Sequence, residues 1–482
     1  MSRCDPAGHI LGSRFYADSY STAEARQIFC DLYRYQRWLD VEAVLAEAQA
    51  DLGIIPVEAA IHIRESARID RLDLDYISRE LKVTSHSLMP LLGALSAVCP
   101  EPYRRYIHFG ATTQDIQDTA QSLELRDVLD LIERDLVFLA DQISRLVERY
   151  NSLVTIGRTH AQHALPMTMG LKMAMWLDEL MRSIERFSQL RARVLVSQLF
   201  GGVGTMDAFG HRGIELLDLF SSKLGLSAPM TAWHSARDRI AEFLNTVAIA
   251  AGSLASIADE IRSLARNEAG EMEEPFHAGK IGSSTMPHKR NPELCEQVVV
   301  LAKLIKANAL TGLDGLINEH ERDYRAVRLE WVALADSSMF FCGLLSLMKH
   351  ILTGLVIHRD RVQANVDRAA PYICSEALMF FLGSKLGKDR AHTLIYEASM
   401  EAAERGGSFI DVLMEHPEIN GMFTREQIEE PLHPERHTGL SVRIAHRVVE
   451  SAARHIKEVE VNLSGKRQCP LSNSYGQCLV GA

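Results

Sequence analysis

Apolar residues recur at steps of three and four along much of this chain, and strictly alternating stretches are nearly absent. Four stretches show the pattern most clearly: residues 119–150, 239–266, 293–317 and 333–355. Steps of three and four place side chains on one face of an α-helix, so the pattern predicts an all-α fold. The predicted helices are longer than the average of about 11–12 residues in globular proteins.

Several of these helices are apolar over more than one face, which a single chain would leave in contact with water. A bundle of long helices, completed by helices of other subunits, accounts for this. Breaks in the pattern predict an N-terminal helical domain (1–110), a central bundle (111–357), a C-terminal helical cap (358–455) and a disordered tail (456–482).

Composition excludes several classes of protein. The 482 residues carry a net charge of −11, which disfavours general binding to nucleic acid or to an anionic membrane. The N-terminus has no apolar core of a secretion signal, and no uninterrupted apolar run is long enough to span a membrane. The eight cysteines form no CxxC pair, which argues against a disulfide framework or a zinc site. We therefore expect a cytoplasmic protein without a metal.

Residues 276–292 interrupt the helical pattern with the sequence Phe-His-Ala-Gly-Lys-Ile-Gly-Ser-Ser-Thr-Met-Pro-His-Lys-Arg-Asn-Pro, here called the signature loop. Two glycines and the absence of an apolar period predict a mobile loop. Its hydroxyls, cations and amide suit the capture of an anionic substrate and closure over it. Since the protein as a whole is acidic, an anion requires a locally basic site, and this loop supplies one.

The run Gly-Ser-Ser-x-Met-Pro-x-Lys-x-Asn-Pro resembles the signature of the fumarase/aspartase superfamily. With Lys289-Arg290 it is most similar to the adenylosuccinate lyase and 3-carboxy-cis,cis-muconate cycloisomerase branches, and the resemblance extends over residues 20–449. It implies a helical homotetramer that eliminates fumarate from a succinyl compound, without a cofactor, in an active site shared by three subunits. The expected partner is a small anionic dicarboxylate.

Such an elimination needs a base for the Cβ proton, an acid for the leaving group and donors that hold the carboxylates. The resemblance implies that Ser283 is the base, whereas the adjacent Ser284 is expected to bond the backbone. It implies that His160, in Gly-Arg-Thr-His-Ala-Gln-His-Ala-Leu-Pro, is the acid and that Glu296 orients it. The alternative for His160 is a polar histidine at a helix start.

Substrate binding is expected from Thr112 and Thr113, which match the family's Thr-Ser-x-Asp element at a helix N-terminus. Lys289 and Asn291 of the signature loop would complete the carboxylate clamp. His86 lies where adenylosuccinate lyases carry Thr-x-His-Asp, and we assign it to substrate binding. Because Ser87 replaces the aspartate of that element, the resemblance supports this role of His86 less strongly.

Two further sequence elements contain arginines whose roles are expected from their position in the chain. Arg237-Asp238-Arg239, which opens a bundle helix, is expected to form ion pairs at a subunit interface. We also assign Arg322 and Arg328 to substrate binding, because Arg322 is part of the Glu-Arg-Asp element after which adenylosuccinate lyases grip a phosphate, and Arg328 follows that element.

This sequence differs from adenylosuccinate lyases in the elements that bind the nucleotide in those enzymes. Ser19-Tyr20 replaces an Arg-Tyr pair, and the phosphate-binding Ser-Ser-x-x-Arg element is absent, although Arg325 or Arg328 could substitute for it. Trp233-His234 and Glu330-Trp331 are closer to the cycloisomerases, which however carry Trp at the place of His160. The sequence therefore predicts fumarate release from a small non-nucleotide adduct, such as nitrosuccinate or an N-substituted aspartate. A cycloisomerase and a true adenylosuccinate lyase remain the alternatives, and a non-enzymatic scaffold is disfavoured.

Overall fold

A computed structural model describes residues 8–277 and 279–466 of the chain, with side chains described as far as residue 457. The described part is almost entirely helical, and its four strands form two small antiparallel pairs. The helices are α1 Ala23–Ile28, α2 Asp31–Asp51, α3 Val57–Ser66, α4 Leu74–Thr84, α5 Met89–Val98, α6 Thr113–Arg149, α7 Met169–Val194, α8 Gly213–Leu224, α9 Asp238–Leu264, α10 Glu293–Asp314, α11 Tyr324–Thr353, α12 Arg359–Ile373, α13 Ser375–Leu386, α14 Lys388–Arg405, α15 Phe409–Glu415, α16 Pro417–Asn420, α17 Arg425–Glu429 and α18 Ser441–Lys466. The strands are β1 Val154–Thr159, β2 Gln162–Thr168, β3 Met272–Glu273 and β4 Val356–Ile357.

Five long helices, α6, α7, α9, α10 and α11, pack against one another as the central bundle. The predicted all-α fold is thus confirmed, and all four helices that the periodicity predicts are present. Helix α6 begins at a reciprocal cap: Thr112 accepts from the backbone of Asp115, whose side chain accepts from the backbone N–H of Thr112. This arrangement satisfies two N–H groups that a helix start otherwise leaves unpaired.

The segment between α7 and α9 contributes to the N-terminal core. One buried cluster combines residues of α2, α4, α5 and the first turns of α6 with residues of α8, among them Leu39, Leu91, Ile116 and Phe220. Residues of the segment that precedes α8, such as Leu199, belong to the same cluster. The N-terminal core is therefore built from two stretches of chain rather than from residues 1–110 alone.

The C-terminal segment shares its core with the bundle. Buried residues of α12 to α17, such as Leu378, Leu394 and Ile428, belong to one continuous cluster with those of the bundle helices. The last helix, α18, packs against α7 and α6. It continues past residue 455, where we expected the cap to end and a disordered tail to begin. Residues 467–482 lie outside the described part of the chain.

Helices α9 and α11 are long and apolar enough to span a membrane by length and composition alone. However, 50% and 67% of their most apolar windows are buried inside the protein, which is typical of core helices. Apolar side chains also remain exposed on the outer face of the bundle, including Ile249 on α9, Leu310 on α10 and Val332 on α11.

Candidate active site

The N-terminus of α6 carries the first group of predicted site residues. Thr112 caps the helix, and Thr113 is its first residue; both are half-buried. The guanidinium of Arg322 donates to Oγ1 of Thr112 at 2.7 Å and to Oε1 of Gln114 at 3.1 Å. A full positive charge thus lies at the positive end of the helix dipole, where it favours an anion.

Buried groups beneath this helix end fix its position. Asp115 accepts backbone N–H bonds from Phe200 at 3.0 Å and Gly201 at 2.9 Å, besides the one from Thr112. Nε2 of His234 lies 3.2 Å from the same carboxylate, and both side chains are almost fully buried. The binding groups therefore stand on a rigid base, as precise substrate positioning requires.

Arg237 is part of this buried base, so our prediction that it forms ion pairs at a subunit interface is wrong. Its guanidinium is fully buried and bonds Asp118 at 2.8 and 3.1 Å, while its Nε donates to Glu330 at 2.7 Å. Gln121 and Gln198 donate to the same two carboxylates. The Arg-Asp-Arg sequence could not reveal this, because both partners lie far away along the chain.

His86 lies in the loop that leads into α5. Its Nδ1 accepts from the backbone N–H groups of Leu88 and Met89, at 3.3 and 3.1 Å, which leaves Nε2 available to a ligand. In an imidazole whose Nδ1 accepts, Nε2 carries the proton and is a donor. The residue is half-buried.

Ser87, which replaces the aspartate of the related lyases, holds this loop through hydrogen bonds of its side chain. Gln117 donates to its Oγ at 2.7 Å, and the Tyr324 hydroxyl donates to Oε1 of Gln117 at 3.0 Å. The two hydroxyls of Ser87 and Tyr324 are 3.1 Å apart, which closes a three-membered ring of hydrogen bonds. Arg328 lies over the Tyr324 ring at 5.4 Å. The structure thus brings His86, Thr112, Arg322 and Arg328 to one end of α6.

The signature loop carries the second group. Oγ of Ser283 accepts backbone N–H bonds from Thr285 at 3.2 Å and Met286 at 3.0 Å, and the residue is half-buried. Nδ2 of Asn291 donates to the Gly282 carbonyl at 2.7 Å. A Cβ at Gly282 would lie 2.2 Å from the Lys289 carbonyl oxygen, so only glycine permits this close approach.

Lys289, Asn291 and Glu296 line one hollow of about 590 Å³ beside this loop. All three were predicted from the sequence, and Lys289 and Glu296 are exposed. The hollow also contains Glu273 and His358, which the sequence analysis did not consider.

Two glutamates that the sequence analysis missed anchor the signature loop. Glu274 accepts from the backbone N–H groups of Leu294 and Cys295 at the start of α10, and from Lys280 at 2.9 Å. Glu273 binds Arg290 at 2.8 Å and His358 at 3.0 Å. Although burial raises the pKa of Glu273, these two partners lower it below its ordinary value. The available signal was Pro292: a proline at the N-cap has no side-chain oxygen, so α10 needs an acceptor from elsewhere.

His160 occupies the tip of a β-hairpin and not a helix start. Strands β1 and β2 pair antiparallel, and His160 and Ala161 form the two-residue turn between Thr159 and Gln162. Both turn residues have positive φ, 51° and 62°, which costs a non-glycine residue of the order of 1 kcal/mol or more. Strained, exposed residues of this kind are frequent at functional sites.

A single chain holds the predicted site residues in three separate places: the end of α6, the signature loop and the hairpin tip. Among the described residues, no hydrogen bond or ion pair joins His160 to Glu296, the carboxylate that we expected to orient it. The described residues also contain no group of three or more His, Cys, Asp or Glu side chains arranged to hold a metal ion.

Comparison with known proteins shows which family combines these elements. Residues 18–306 match the family described as Lyase, and residues 371–448 match the family described as Adenylosuccinate lyase C-terminus. The chain belongs to the fumarase/aspartase superfamily. Within this superfamily it falls in the adenylosuccinate lyase and cycloisomerase branch, as the signature loop predicted.

Individual members of the superfamily match along nearly their whole length. An N-acetyl-S-(2-succino)cysteine lyase of Dickeya dadantii is 38% identical over 447 residues, covering 92% of this chain and 98% of that protein. An adenylosuccinate lyase of Pyrococcus horikoshii is 38% identical over 443 residues, covering 92% and 97%. The crystal structure of 3-carboxy-cis,cis-muconate lactonizing enzyme from Pseudomonas putida superposes with a TM-score of 0.85 at 34% identity, covering 91% of this chain and 99% of that one. This chain is accordingly a fumarate-forming lyase of the superfamily.

Proposed function

We propose that this lyase releases fumarate from a small succinyl adduct whose leaving group is a thiol or an amine and carries no nucleotide. The observation that carries the proposal is that two carboxylates pair with Arg325. This residue forms ion pairs with Asp323 at 2.5 Å and with Glu319 at 3.4 Å. A cation already neutralised by two carboxylates is a poor phosphate ligand.

Arg328 is the other arginine that follows the Glu-Arg-Asp element, and one exposed cation does not replace a phosphate clamp that makes several contacts. Arg328 stacks on Tyr324, and Tyr324 meets Trp331 edge to face at 6.2 Å. Trp331 in turn contacts Trp38, with their ring centres 6.4 Å apart. Tyr324 with the cation of Arg328 over its ring suits a compact, partly apolar leaving group that carries at most one negative charge.

Ser283 would remove the Cβ proton. A serine hydroxyl is a weak acid, and its deprotonated form must be stabilised before it can act as a base. The two backbone N–H groups that point at its Oγ supply such stabilisation, in the manner of an oxyanion hole. Lys289 adds positive charge from the same loop.

The carboxylates of the succinyl group would bind where donors converge. Arg322, the end of α6 and Nε2 of His86 offer one set of donors, and Lys289 with Asn291 offers another. As the Cβ proton leaves, negative charge moves onto the adjacent carboxylate, so these donors stabilise the transition state more than the ground state.

His160 would protonate the departing atom. Its exposed position at a hairpin tip supports a role in a neighbouring chain's site rather than in its own. We therefore propose a homotetramer in which the three groups of site residues come from different subunits. Exposed apolar side chains support this assembly, since Val332 is 62% and Leu310 60% exposed on adjacent bundle helices.

Sulfur and nitrogen leaving groups are both represented among the relatives. The Dickeya dadantii protein is named for a succinylated cysteine derivative, and the Pyrococcus horikoshii protein for adenylosuccinate, at equal identity to this chain. The neutralised Arg325 favours the first kind of substrate. An S-(2-succinyl) thioether is therefore our leading candidate, ahead of nitrosuccinate and N-substituted aspartates.

The test is the appearance of fumarate, followed by ultraviolet absorbance, from a panel of substrates given to the purified protein. The panel contains N-acetyl-S-(2-succino)cysteine, N-substituted aspartates, nitrosuccinate, adenylosuccinate and 3-carboxy-cis,cis-muconate. Turnover of a small adduct supports the proposal. Turnover of adenylosuccinate alone would assign a purine-pathway lyase, and lactone formation from the muconate without any fumarate would assign a cycloisomerase.

A further inference from the structure

A second hollow, of about 760 Å³, lies against the hairpin that carries His160 and is here called the hairpin hollow. Its walls come from β1 and β2, from the turn that follows α9, and from α12. It borders the hollow of Lys289 and Glu296, because Arg266 and Glu268 line both. Neither the superfamily resemblance nor the proposed elimination assigns it a role.

The wall of the hairpin hollow is rigidly built around a buried carboxylate. Glu271 is fully buried and accepts two hydrogen bonds from Arg158, at 2.5 and 3.1 Å. Asn365 of α12 donates to the same carboxylate at 2.9 Å. This triad neutralises Arg158 and fixes the hairpin against α12.

Positive charge remains in the hollow after this pairing. Arg266 and Arg368 both line it, and neither forms an ion pair with a carboxylate of the described residues. Glu268 is the one acidic residue among the described lining residues, and it is exposed. Burial lowers the pKa of His163, and the nearby charges of Arg158 and Arg368 lower it further, against an opposite effect of Glu271. Arg266 and Arg368 therefore leave uncompensated positive charge in one hollow, which an anion would stabilise.

We infer that the hairpin hollow is a second anion site, which binds a small dianion between Arg266 and Arg368. The amide of Gln162 and the hydroxyl of Tyr372, which is 46% exposed, offer uncharged donors from two sides. Arginine suits a planar carboxylate or a phosphate because its N–H groups bind two oxygens at once. The dianion could be a dicarboxylate such as fumarate, or inorganic phosphate.

An anion bound in the hairpin hollow would restrain the hairpin. An anion bound to Arg368 on α12 and contacting Gln162 on β2 would tie the strand that follows His160 to the cap. Since Arg266 also borders the neighbouring hollow, the same anion would change the charge next to Lys289. The hairpin hollow is therefore placed to couple the level of a dianion to the position of His160.

Equilibrium dialysis of the full-length protein against radiolabelled fumarate or radiolabelled phosphate tests this inference by counting bound anions per chain. The double variant Arg266→Gln/Arg368→Gln should lose one bound equivalent per chain, or bind it at least about 100-fold more weakly, since two charge-assisted contacts are removed. Arg359→Gln changes an arginine of the same helix outside the hollow and should bind as the wild type does. Arg368→Lys keeps the charge and should retain part of the binding.

The two probes distinguish the sources of the dianion. Loss of a fumarate equivalent identifies a dicarboxylate site, and loss of a phosphate equivalent alone identifies a phosphate site. Either result stands even if the enzyme's substrate differs from the one proposed above, because no turnover is measured. Unchanged binding of both anions by a double variant with a wild-type circular dichroism spectrum would overturn the inference.

Discussion

Nη1 of Arg322 lies 2.7 Å from Oγ1 of Thr112, a residue 210 positions earlier in the chain. The hydrogen bond joins the segment before α11 to the N-terminus of α6. Through Gln114 the same guanidinium is also tied to the buried base around Asp118 and His234. A fixed cation at a helix N-terminus is thus the best-formed anion-binding feature within one chain.

Replacing Arg322 with lysine tests this feature. A lysine keeps the charge but cannot bond Thr112 and Gln114 through a planar fork, so kcat/KM for the succinyl adduct should fall by about 10- to 100-fold. The control is Arg325→Gln, whose guanidinium is already neutralised by Asp323 and Glu319. It should stay within about threefold of the wild type, since surface pairs contribute little. Equal losses in both variants would remove the special role of Arg322.

Replacing Ser283 with alanine removes the proposed base. We expect kcat to fall by at least about 10³-fold, because one essential group of the elimination is lost. Ser284→Ala, one position further along, should retain most of the activity. Both can be measured by fumarate absorbance on protein whose circular dichroism is unchanged. Should the two variants exchange these outcomes, the base would be Ser284.

Replacing His160 with asparagine removes the imidazole but keeps the backbone conformation of the turn. Asparagine tolerates positive φ, so the hairpin turn should persist while the proton donor is lost. An amine must be protonated as it leaves, whereas a thiol with a pKa of about 8.5 leaves readily as thiolate. The variant should therefore lose roughly 10²–10⁴-fold on an N-linked adduct and distinctly less on an S-linked one. Identical losses on both adducts would argue against His160 as the acid.

Acidification should loosen the signature loop through Glu273. Because its pKa is lowered in the folded protein, its stabilising contribution is complete above about pH 4.5 and is lost as the pH falls through the folded-state value. Hydrogen exchange of residues 276–292 should therefore be slower in the wild type than in Glu273→Gln at pH 6. The difference should disappear as the pH falls through the folded-state pKa of Glu273.

Glu268→Gln is the control for this pH experiment, since this exposed carboxylate lies close to the same hollow but has no part in anchoring the loop. It should match the wild type throughout the pH series. Equal exchange of the wild type and Glu273→Gln at pH 6 would show that Glu273 does not hold the loop.

Replacing Arg237 with alanine should destabilise the protein severely. The change would leave Asp118 and Glu330 as uncompensated buried charges, which costs about 3–5 kcal/mol. Arg239→Ala, which changes a partly exposed arginine 5.8 Å from the Trp233 ring, should cost about 1 kcal/mol or less. Denaturant titration at fixed protein concentration measures both. A small loss in Arg237→Ala would mean that water reaches the network.

The helical bundle could be predicted because its signal is local. Residues such as Leu129, Leu136 and Ile143 repeat every seven positions and are fully buried, so periodicity alone locates α6. The hairpin had no comparable signal. Its turn consists of His160 and Ala161 rather than the Asn-Gly or Gly-Gly pairs that mark two-residue turns, and the second strand contains Pro166, a residue that argues against a strand.

The site was predictable residue by residue but not as a set of contacts. Motifs pointed to Thr112, Arg322, Ser283 and Lys289 separately, whereas the bond between Thr112 and Arg322 depends on the packing of α6 against α11. The burial of Arg237 depends on the same packing. Assembly of the three groups of site residues depends on other copies of the chain, which no motif specifies.

The most direct test of the central proposal is the ratio of kcat/KM for N-acetyl-S-(2-succino)cysteine to that for adenylosuccinate, measured on one preparation by initial rates of fumarate formation or release. The neutralised Arg325 and the single cation of Arg328 over Tyr324 predict a ratio of at least about 10², since a missing phosphate clamp forfeits two or more charge-assisted contacts. A ratio below about one would contradict the account, because a nucleotide would then be the better substrate of this site.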